Sequence, residues 1–367
     1  MSNTAPSTAL PGQAADISAQ WLTDVLHDSG ALTSEANVAG VDWEPLGEGA
    51  GMMSDLALLR LSYSGDAGDA PASVVVKLPA ESETNRAVAL QFDIYAREVR
   101  YYAELDPVCT ANGPRIHLSS IDADNNFAIV MEDLSDYQIG DQIVGATLEE
   151  TEIAIDELAK LHSSFWDKAD QIDWVPDIAT SDHASIMRDG IVAGWDAMLD
   201  AFGQFIPDAI NDNRSAIQQA IAPLQRHLDN APITLLHGDF RMDNLFYGRK
   251  AGQHPLVILD WQGPLLGRGI QDVAQLLVQS TQTEVRRAHQ RELIQRYVGA
   301  LAALGVSGYG FDEAWEDYRR ATLYSWAYVV VVSGTLDANN ERGFAWMSKM
   351  VARNSAAIED LDCLKLL

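Results

Sequence analysis

Two short segments constrain this chain more than anything else in it. The first is His237-Gly238-Asp239-Phe240-Arg241-Met242-Asp243-Asn244, and the second is the apolar run Leu256-Val257-Ile258-Leu259 that ends in Asp260. Together they supply two carboxylates and one amide at fixed intervals. An amide oxygen (Asn244) and a carboxylate (Asp260) are hard ligands that suit Mg²⁺. The remaining carboxylate, Asp239, can orient and deprotonate an attacking hydroxyl. Metal placement plus one such base is most of what phosphoryl transfer asks of side chains. A turn rich in Asp and Asn also arises from backbone capping alone, and either segment by itself fits that description. The two in this order and spacing favour the chemical reading.

The pattern His-x-Asp-x-x-x-x-Asn, followed by an apolar strand ending in Asp, resembles the protein-kinase catalytic core with most of its other signatures stripped away. His237 to Asn244 with Asp260-Trp261-Gln262 resembles the aminoglycoside phosphotransferase and choline kinase superfamily, closest to its ecdysteroid-kinase-like branch. The resemblance implies an α+β, bilobal protein-kinase-like fold. Its N-terminal lobe would be an antiparallel sheet with one main helix, and its C-terminal lobe larger and mostly helical. It implies an ATP-dependent phosphotransferase acting on a hydroxyl of a small molecule, with Asp239 receiving the acceptor proton and Asn244 and Asp260 holding Mg²⁺. Gly238 stands where protein kinases have the arginine of H-R-D, Asp260-Trp-Gln replaces D-F-G, and no A-P-E segment follows. Protein substrates are therefore not expected. Asp243 replaces a family glycine, as in the ecdysteroid-kinase-like branch and in kinase-like domains joined to some acyl-CoA dehydrogenases, which weakens a literal aminoglycoside kinase.

At 367 residues and 47% hydrophobic composition the chain can bury a large core and is expected to form more than one domain. The expected division is a disordered leader over 1–15, a nucleotide-binding lobe over 16–131, a hinge at 132–136 and a helical lobe over 137–367. Net charge is −28 with no Lys/Arg run, which disfavours nucleic acid and anionic membranes as partners. The same charge repels ATP at long range, so a nucleotide site must supply local cations. Solubility, including in a salty habitat, explains the charge without a function. Cys109 and Cys363 give neither metal-ligand spacing nor a disulfide framework. The N-terminus shows no signal peptide, and the apolar run Ala327 to Ser333 is too short to span a bilayer, which takes about 20 residues. A reducing cytoplasm is the expected setting.

Along the chain, Asp16 is expected to cap a helix with Ile17, Trp21, Val25 and Leu22 inside, ending near Gly30. Strands are expected over 41–46 and 56–63, joined through Gly47, Gly49 and Gly51 to Ser54. Alternate glycines let a backbone approach phosphate and aim its N–H groups, and they equally make a flexible hairpin. A strand rather than a helix follows, which excludes the dinucleotide fingerprint. The β-branched strand 72–78 carries Lys77. A single helix from Ser82 or Thr84 would set Gln91, Ile94, Tyr95, Glu98, Tyr102 and Leu105 on one face. A carboxylate in that stripe needs a partner, and Lys77 is the obvious one, a pairing that kinases use to hold the α- and β-phosphates. Strands near 115–121 and 127–131 lead to Glu132 and Leu134, whose backbone would meet adenine in the family and which otherwise read as an acidic turn.

Beyond that point the chain is expected to be helical. Thr147 caps a helix reaching Trp166, with His162 as a core histidine bracing the catalytic loop. Two helices are expected over 186–205 and 209–228, another over 273–280 with Asp272 as cap or loop ligand, and three more over 284–304, 312–333 and 342–364. Tyr318, Tyr324, Trp326 and Tyr328 read as core, with some free to line an acceptor pocket. The aromatic helix suits a sterol-like, hydroxyacyl or other amphipathic alcohol. It also suits a cation of the choline, ethanolamine or aminoglycoside kind through cation–π contact. A catalytically silent nucleotide-binding module is the alternative of another class, and its signature would be loss of Asp239 or Asp260. Oligomeric state is not legible.

Overall fold

The computed structural model describes residues 9–47, 53–335 and 341–367. Gly49 and Gly51 lie outside them. The chain divides into two units, one comprising residues up to Val108 with Gly113–Tyr137 and Leu259–Gly263, the other Cys109–Asn112, Gln138–Ile258 and Pro264–Leu367.

The first unit is built on β-branched and apolar runs too short for helices. Helix α1 (Ala19–Asp28) is followed by strands β1 (Asn37–Leu46), β2 (Ser54–Ser64) and β3 (Ser73–Pro79), helices α2 (Glu83–Gln91) and α3 (Ile94–Arg100), and strands β4 (Ile116–Ile121) and β5 (Phe127–Glu132). The strands form one antiparallel sheet in the order β1-β2-β3-β5-β4. Side chains alternate across a strand, so Val74, Val76 and Leu78 of β3 join Trp21, Leu22, Val25 and Leu26 of α1 in one core. Lys77 must then face the opposite side.

Three expectations for this unit need correction. Ser18, not Asp16, caps α1, its hydroxyl accepting from Trp21 N at 3.1 Å, and Ala14–Asp16 is instead a 3₁₀ turn. Within the span expected as a leader, Leu10 and Ala14 pack against the α1 core. The single helix across 82–105 is two helices and a π turn. Ser82 caps α2, Asp93 takes a left-handed φ of 55° that breaks the helix, and after α3 the turn Tyr101–Leu105 is wound as a π helix. A short polar side chain tolerates that φ better than an apolar one.

The second unit is mainly helical. Its order is β6 (Gln138–Ile139), α4 (Leu148–Phe165), α5 (Asp182–Ala193), α6 (Trp195–Phe202), α7 (Asp208–Asp212), α8 (Arg214–Leu228), β7 (Thr234–Leu236), β8 (Leu245–Tyr247), β9 (Leu256–Ile258), β10 (Leu265–Gly267), α9 (Ile270–Gln275), α10 (Thr283–Ala303), α11 (Phe311–Thr335) and α12 (Glu341–Asp360). Strands β6, β8 and β9 make one antiparallel sheet, and β7 pairs with β10. A capping box starts α4: Thr147 Oγ1 accepts from Glu150 N, and the Glu150 carboxylate accepts from Thr147 N at 3.0 Å. α11 packs against α5, α6, α8, α9 and α12.

Where two helices were expected between 186 and 228 there are four. Gly194 separates α5 from α6 and faces Gly334 of α11, on which a Cβ would stand 2.3 Å from the Gly194 carbonyl oxygen. The helix expected over 273–280 begins at Ile270 and continues after α9 as a π turn, Leu276–Ser280. The last helix ends at Asp360 and is followed by a 3₁₀ turn, Cys363–Leu366. Neither Cys109 nor Cys363 is part of a disulfide. Among the described residues no helix is long and apolar enough to cross a membrane.

Candidate active-site residues

Within the first unit, β3, α3 and the segment Leu259–Gly263 bring three charged side chains together. Lys77 Nζ lies 2.7 Å from Glu98 Oε2 and 2.9 Å from Asp260 Oδ1. The expected pairing of Lys77 with Glu98 is present, and Asp260 joins it. Lys77 and Glu98 side chains are 7% and 1% exposed, Asp260 31%. Burial pushes the Glu98 carboxyl above its ordinary pKa, with Lys77 opposing. Burial likewise disfavours the Lys77 ammonium, but Asp260 and Glu98 outweigh it and raise its pKa. Lys77 therefore stays charged.

The geometry around Asp260 is held by aromatic packing. Asp260 adopts a left-handed φ of 67°, and the next residue, Trp261, stacks on Tyr101 with ring centroids 3.5 Å apart and planes 7° apart. The π turn of Tyr101–Leu105 sets that ring. Gln262 Nε2 donates to Ser54 Oγ at 3.4 Å, so Ser54, 6% exposed, lies beside this segment. Gly47 ends β1 at a φ of 69°. Glu132 Oε1 accepts from Arg115 N at 3.1 Å, and Leu134 is buried with its carbonyl accepting from Tyr137 N at 2.8 Å.

Within the second unit, the loop between β7 and β8 carries Asp239 and Asn244, and side-chain oxygens from elsewhere in the chain hold its backbone. Asp272, 2% exposed, accepts from His237 N at 2.7 Å and Gly238 N at 3.1 Å. His162 Nε2 reaches the same carboxylate at 3.2 Å. A carboxylate only accepts, so that nitrogen carries the proton. His162 Nδ1 meets the Tyr297 hydroxyl at 2.8 Å. This requires Gly269, where a Cβ would come within 2.7 Å of His162 Nδ1 and 2.5 Å of the Tyr297 oxygen. Gln275 Oε1 accepts from Phe240 N at 2.9 Å and Gln142 Oε1 from Met242 N at 3.0 Å. Arg353 of α12 in turn donates to the carbonyls of Gln142 at 2.7 Å and Ile143 at 2.9 Å.

Both Asp239 oxygens are engaged. Tyr328 donates its hydroxyl to Oδ1 at 3.1 Å, and Arg241 Nε donates to Oδ2 at 3.0 Å. Asn244 Nδ2 donates to the Asp239 carbonyl at 2.9 Å. An amide that donates through nitrogen turns its oxygen away, where it can accept or ligate. The Arg241 guanidinium lies 5.5 Å from the centre of the Trp346 ring. Gln142, Gln275, Arg241, Trp346 and Arg353 were not singled out from sequence. Each acts through a partner distant along the chain or through a side-chain contact without a periodic signature.

This architecture is that of protein-kinase-like phosphotransferases. Wild-type aminoglycoside 2′-phosphotransferase-IIIa, solved as its GDP complex, shares the fold at a TM-score of 0.53 and 16% identity, over 87% of this chain and 94% of that one. Spectinomycin phosphotransferase with ADP and spectinomycin aligns at 0.51 and 14%, over 94% and 99%. Choline kinase from Cryptosporidium parvum Iowa II aligns at 0.51 and 9%, over 89% and 90%. No curated protein matches the chain in sequence. The profile of the ecdysteroid kinase-like family matches residues 48–306, and the chain belongs to that family. It is a kinase-like phosphotransferase whose acceptor is a hydroxyl of a small molecule.

Proposed function

We propose that the protein transfers the γ-phosphoryl group of ATP, with Mg²⁺, to the hydroxyl of an apolar or amphipathic small molecule. The observation that carries this reading is the buried Lys77 held between Glu98 and Asp260. A buried cation flanked by two carboxylates is costly to build, and it provides what phosphates and a metal need: one positive head and one partly exposed acid. Lys77 would hold phosphate oxygens, and the backbone near Gly47, Gly49 and Gly51 with Ser54 would cradle them. Backbone groups at Glu132 and Leu134 would meet the base. In this reading residues 16–131 are the nucleotide-binding lobe, 132–136 the hinge and 137–367 the acceptor lobe.

Among the described residues no cluster of three or more His, Cys, Asp or Glu has metal-holding geometry. Kinase Mg²⁺ does not need one, because one or two protein oxygens plus substrate phosphates complete its shell. The Asp260 carboxylate and the Asn244 amide oxygen are donors of that kind, and in this reading these two residues would hold the ion. Bound Mg²⁺ would neutralise charge developing on the phosphates. Asp239 would take the acceptor proton as the acceptor's hydroxyl oxygen bonds the γ-phosphorus and the bond from that phosphorus to the bridging oxygen breaks, releasing ADP. The relatives solved with GDP and ADP support nucleotide binding. A cytoplasmic setting, where thiols such as Cys109 and Cys363 stay reduced, belongs to the same reading.

The guanidinium of Arg241 on Asp239 speaks against the cationic acceptors that the choline kinase relative suggests, since a quaternary ammonium would approach a like charge. A silent module is disfavoured by the presence of both Asp239 and Asp260. The test is ADP release from Mg²⁺-ATP across sterols, hydroxy acids, choline, sugars and aminoglycosides, with Asp239→Asn as the blank. Acceptor-dependent ADP should fall at least about 100-fold in Asp239→Asn, while the thermal shift from Mg²⁺-ATP persists. Absence of both ADP release and a nucleotide-induced shift in the wild-type protein would overturn the reading.

A further inference from the structure

An acceptor hydroxyl that takes Oδ2 of Asp239 must displace a donor already there, because that oxygen accepts from two side chains. Oδ1 accepts from Tyr328 and Oδ2 from Arg241 and, at 3.3 Å, from Asn244 Nδ2. Tyr328 is fixed on α11, and Asn244 is 5% exposed with a second bond to the Asp239 carbonyl. Arg241 has the largest freedom of the three. Its side chain is 25% exposed, its guanidinium rests beside Trp346, and a second carboxylate, Asp243, lies 3.5 Å away. Another guanidinium, Arg342, lies 3.7 Å from Asp243.

Released from Asp239, Arg241 keeps the longer contact to Asp243, an acid already shared with Arg342, so a further anion compensates the partly buried charge better. A guanidinium pairs with any carboxylate in the same two-pronged geometry. Exchange of one carboxylate for another is therefore nearly neutral, and it frees the base.

Resting on the phosphotransfer reading above, we propose that the acceptor is a hydroxylated carboxylate, whose anionic group draws Arg241 from Asp239 as its hydroxyl takes the vacated oxygen. Hydrogen bonds of about 2.7–3.0 Å on each side put the acceptor's hydroxyl and carboxylate only a few carbons apart. Trp346 and Tyr328, both partly exposed beside Arg241 and Asp239, suit an apolar remainder. A neutral alcohol or a cation leaves Arg241 on the base and is phosphorylated slowly. The anion thus both identifies the acceptor and unmasks the residue that activates it.

The test compares 3-hydroxydecanoate with its methyl ester and with 1-decanol, by thermal shift without nucleotide and by ADP release. The wild-type protein should bind the acid in preference to the ester and turn it over with a kcat/KM at least tenfold higher. In Arg241→Gln that preference should collapse toward one. In Asp239→Asn, whose neutral amide no longer competes for the guanidinium, the acid should bind more tightly than to wild type, by about tenfold; a purely structural role for Arg241 would not produce that gain. Equal binding and turnover of acid and ester in wild type, or a preference that survives Arg241→Gln, would overturn the proposal and leave the kinase reading intact. Absence of ADP with every acceptor and of any nucleotide-induced shift would remove the kinase reading, and the proposal with it.

Discussion

Lys77 and Asp260 stand 183 residues apart in the chain and 2.9 Å apart in space. With Glu98 on the other side of the ammonium, the group holds one cation and two anions. Its surplus negative charge is on Asp260, the more exposed of the two acids, where an incoming metal ion would find it. The buried half, Lys77 with Glu98, is neutral as a pair.

Replacing Lys77 by Met should therefore do two things. It should impair nucleotide use, and it should leave Glu98 buried without its counter-charge, at a cost of about 3–5 kcal/mol. The Glu98 carboxyl already sits above its ordinary pKa, and without Lys77 it rises further. The penalty is then present above the folded pKa and relieved as pH falls through it. Urea unfolding at pH 8 and pH 5 would read this, and adding Glu98→Gln should restore much of the loss at pH 8. An equal loss at both pH values would show that Glu98 is not the source.

Asp272→Ala should loosen the loop that carries Asp239. It strips the acceptor from two backbone N–H groups, on His237 and Gly238, each worth about 1–3 kcal/mol when left unpaired in the interior. We expect kcat to fall at least about tenfold through misplacement of the base, with KM for nucleotide little changed. A variant that unfolds earlier but keeps full kcat would confine Asp272 to stability.

Asp106→Asn should stabilise the protein at neutral pH. Burial pushes this carboxyl from 3.8 up to about 6, and its side chain lies against Gly113, where a Cβ would be 2.6 Å from Oδ1. The folded state holds the proton more tightly than the unfolded state, so stability declines as pH rises from about 4 to 6 and the penalty is full above that window. The melting temperature of the variant should exceed that of the parent by a few degrees at pH 7.5 and match it near pH 4. His117, pushed down to about 4 by burial, acts in the opposite sense in the same range, so only the difference between variant and parent is informative. A constant difference across pH would reject the assignment.

Local chemistry made part of the molecule readable in advance. The Thr147 capping box needs only residues three apart, and the partner of Glu98 followed from a carboxylate amid apolar neighbours. The break at Asp93 was not readable, because the apolar residues on either side stay in helical phase across it. The division at Gly194 depends on a glycine in α11, 140 positions later in the chain, and one glycine in a helical run costs only about 1 kcal/mol. Asp16 and Ser18 are both good caps, and packing of Ile17 and Trp21 decides between them. At the candidate site the acids and the amide declared themselves by spacing. Gln142 and Gln275 did not, since a neutral side chain that accepts one backbone N–H leaves no pattern.

Arg353 secures the carbonyls of Gln142 and Ile143, and Gln142 secures Met242 in the catalytic loop. Arg353 lies outside residues 48–306, the part shared with the family profile, and 211 residues after Gln142. A ribosome has therefore released the loop into solution long before it makes the residue that fastens it. During synthesis the nascent chain carries the whole signature of its chemistry before this brace exists, so the support that reaches Met242 through Gln142 is completed only as α12 folds.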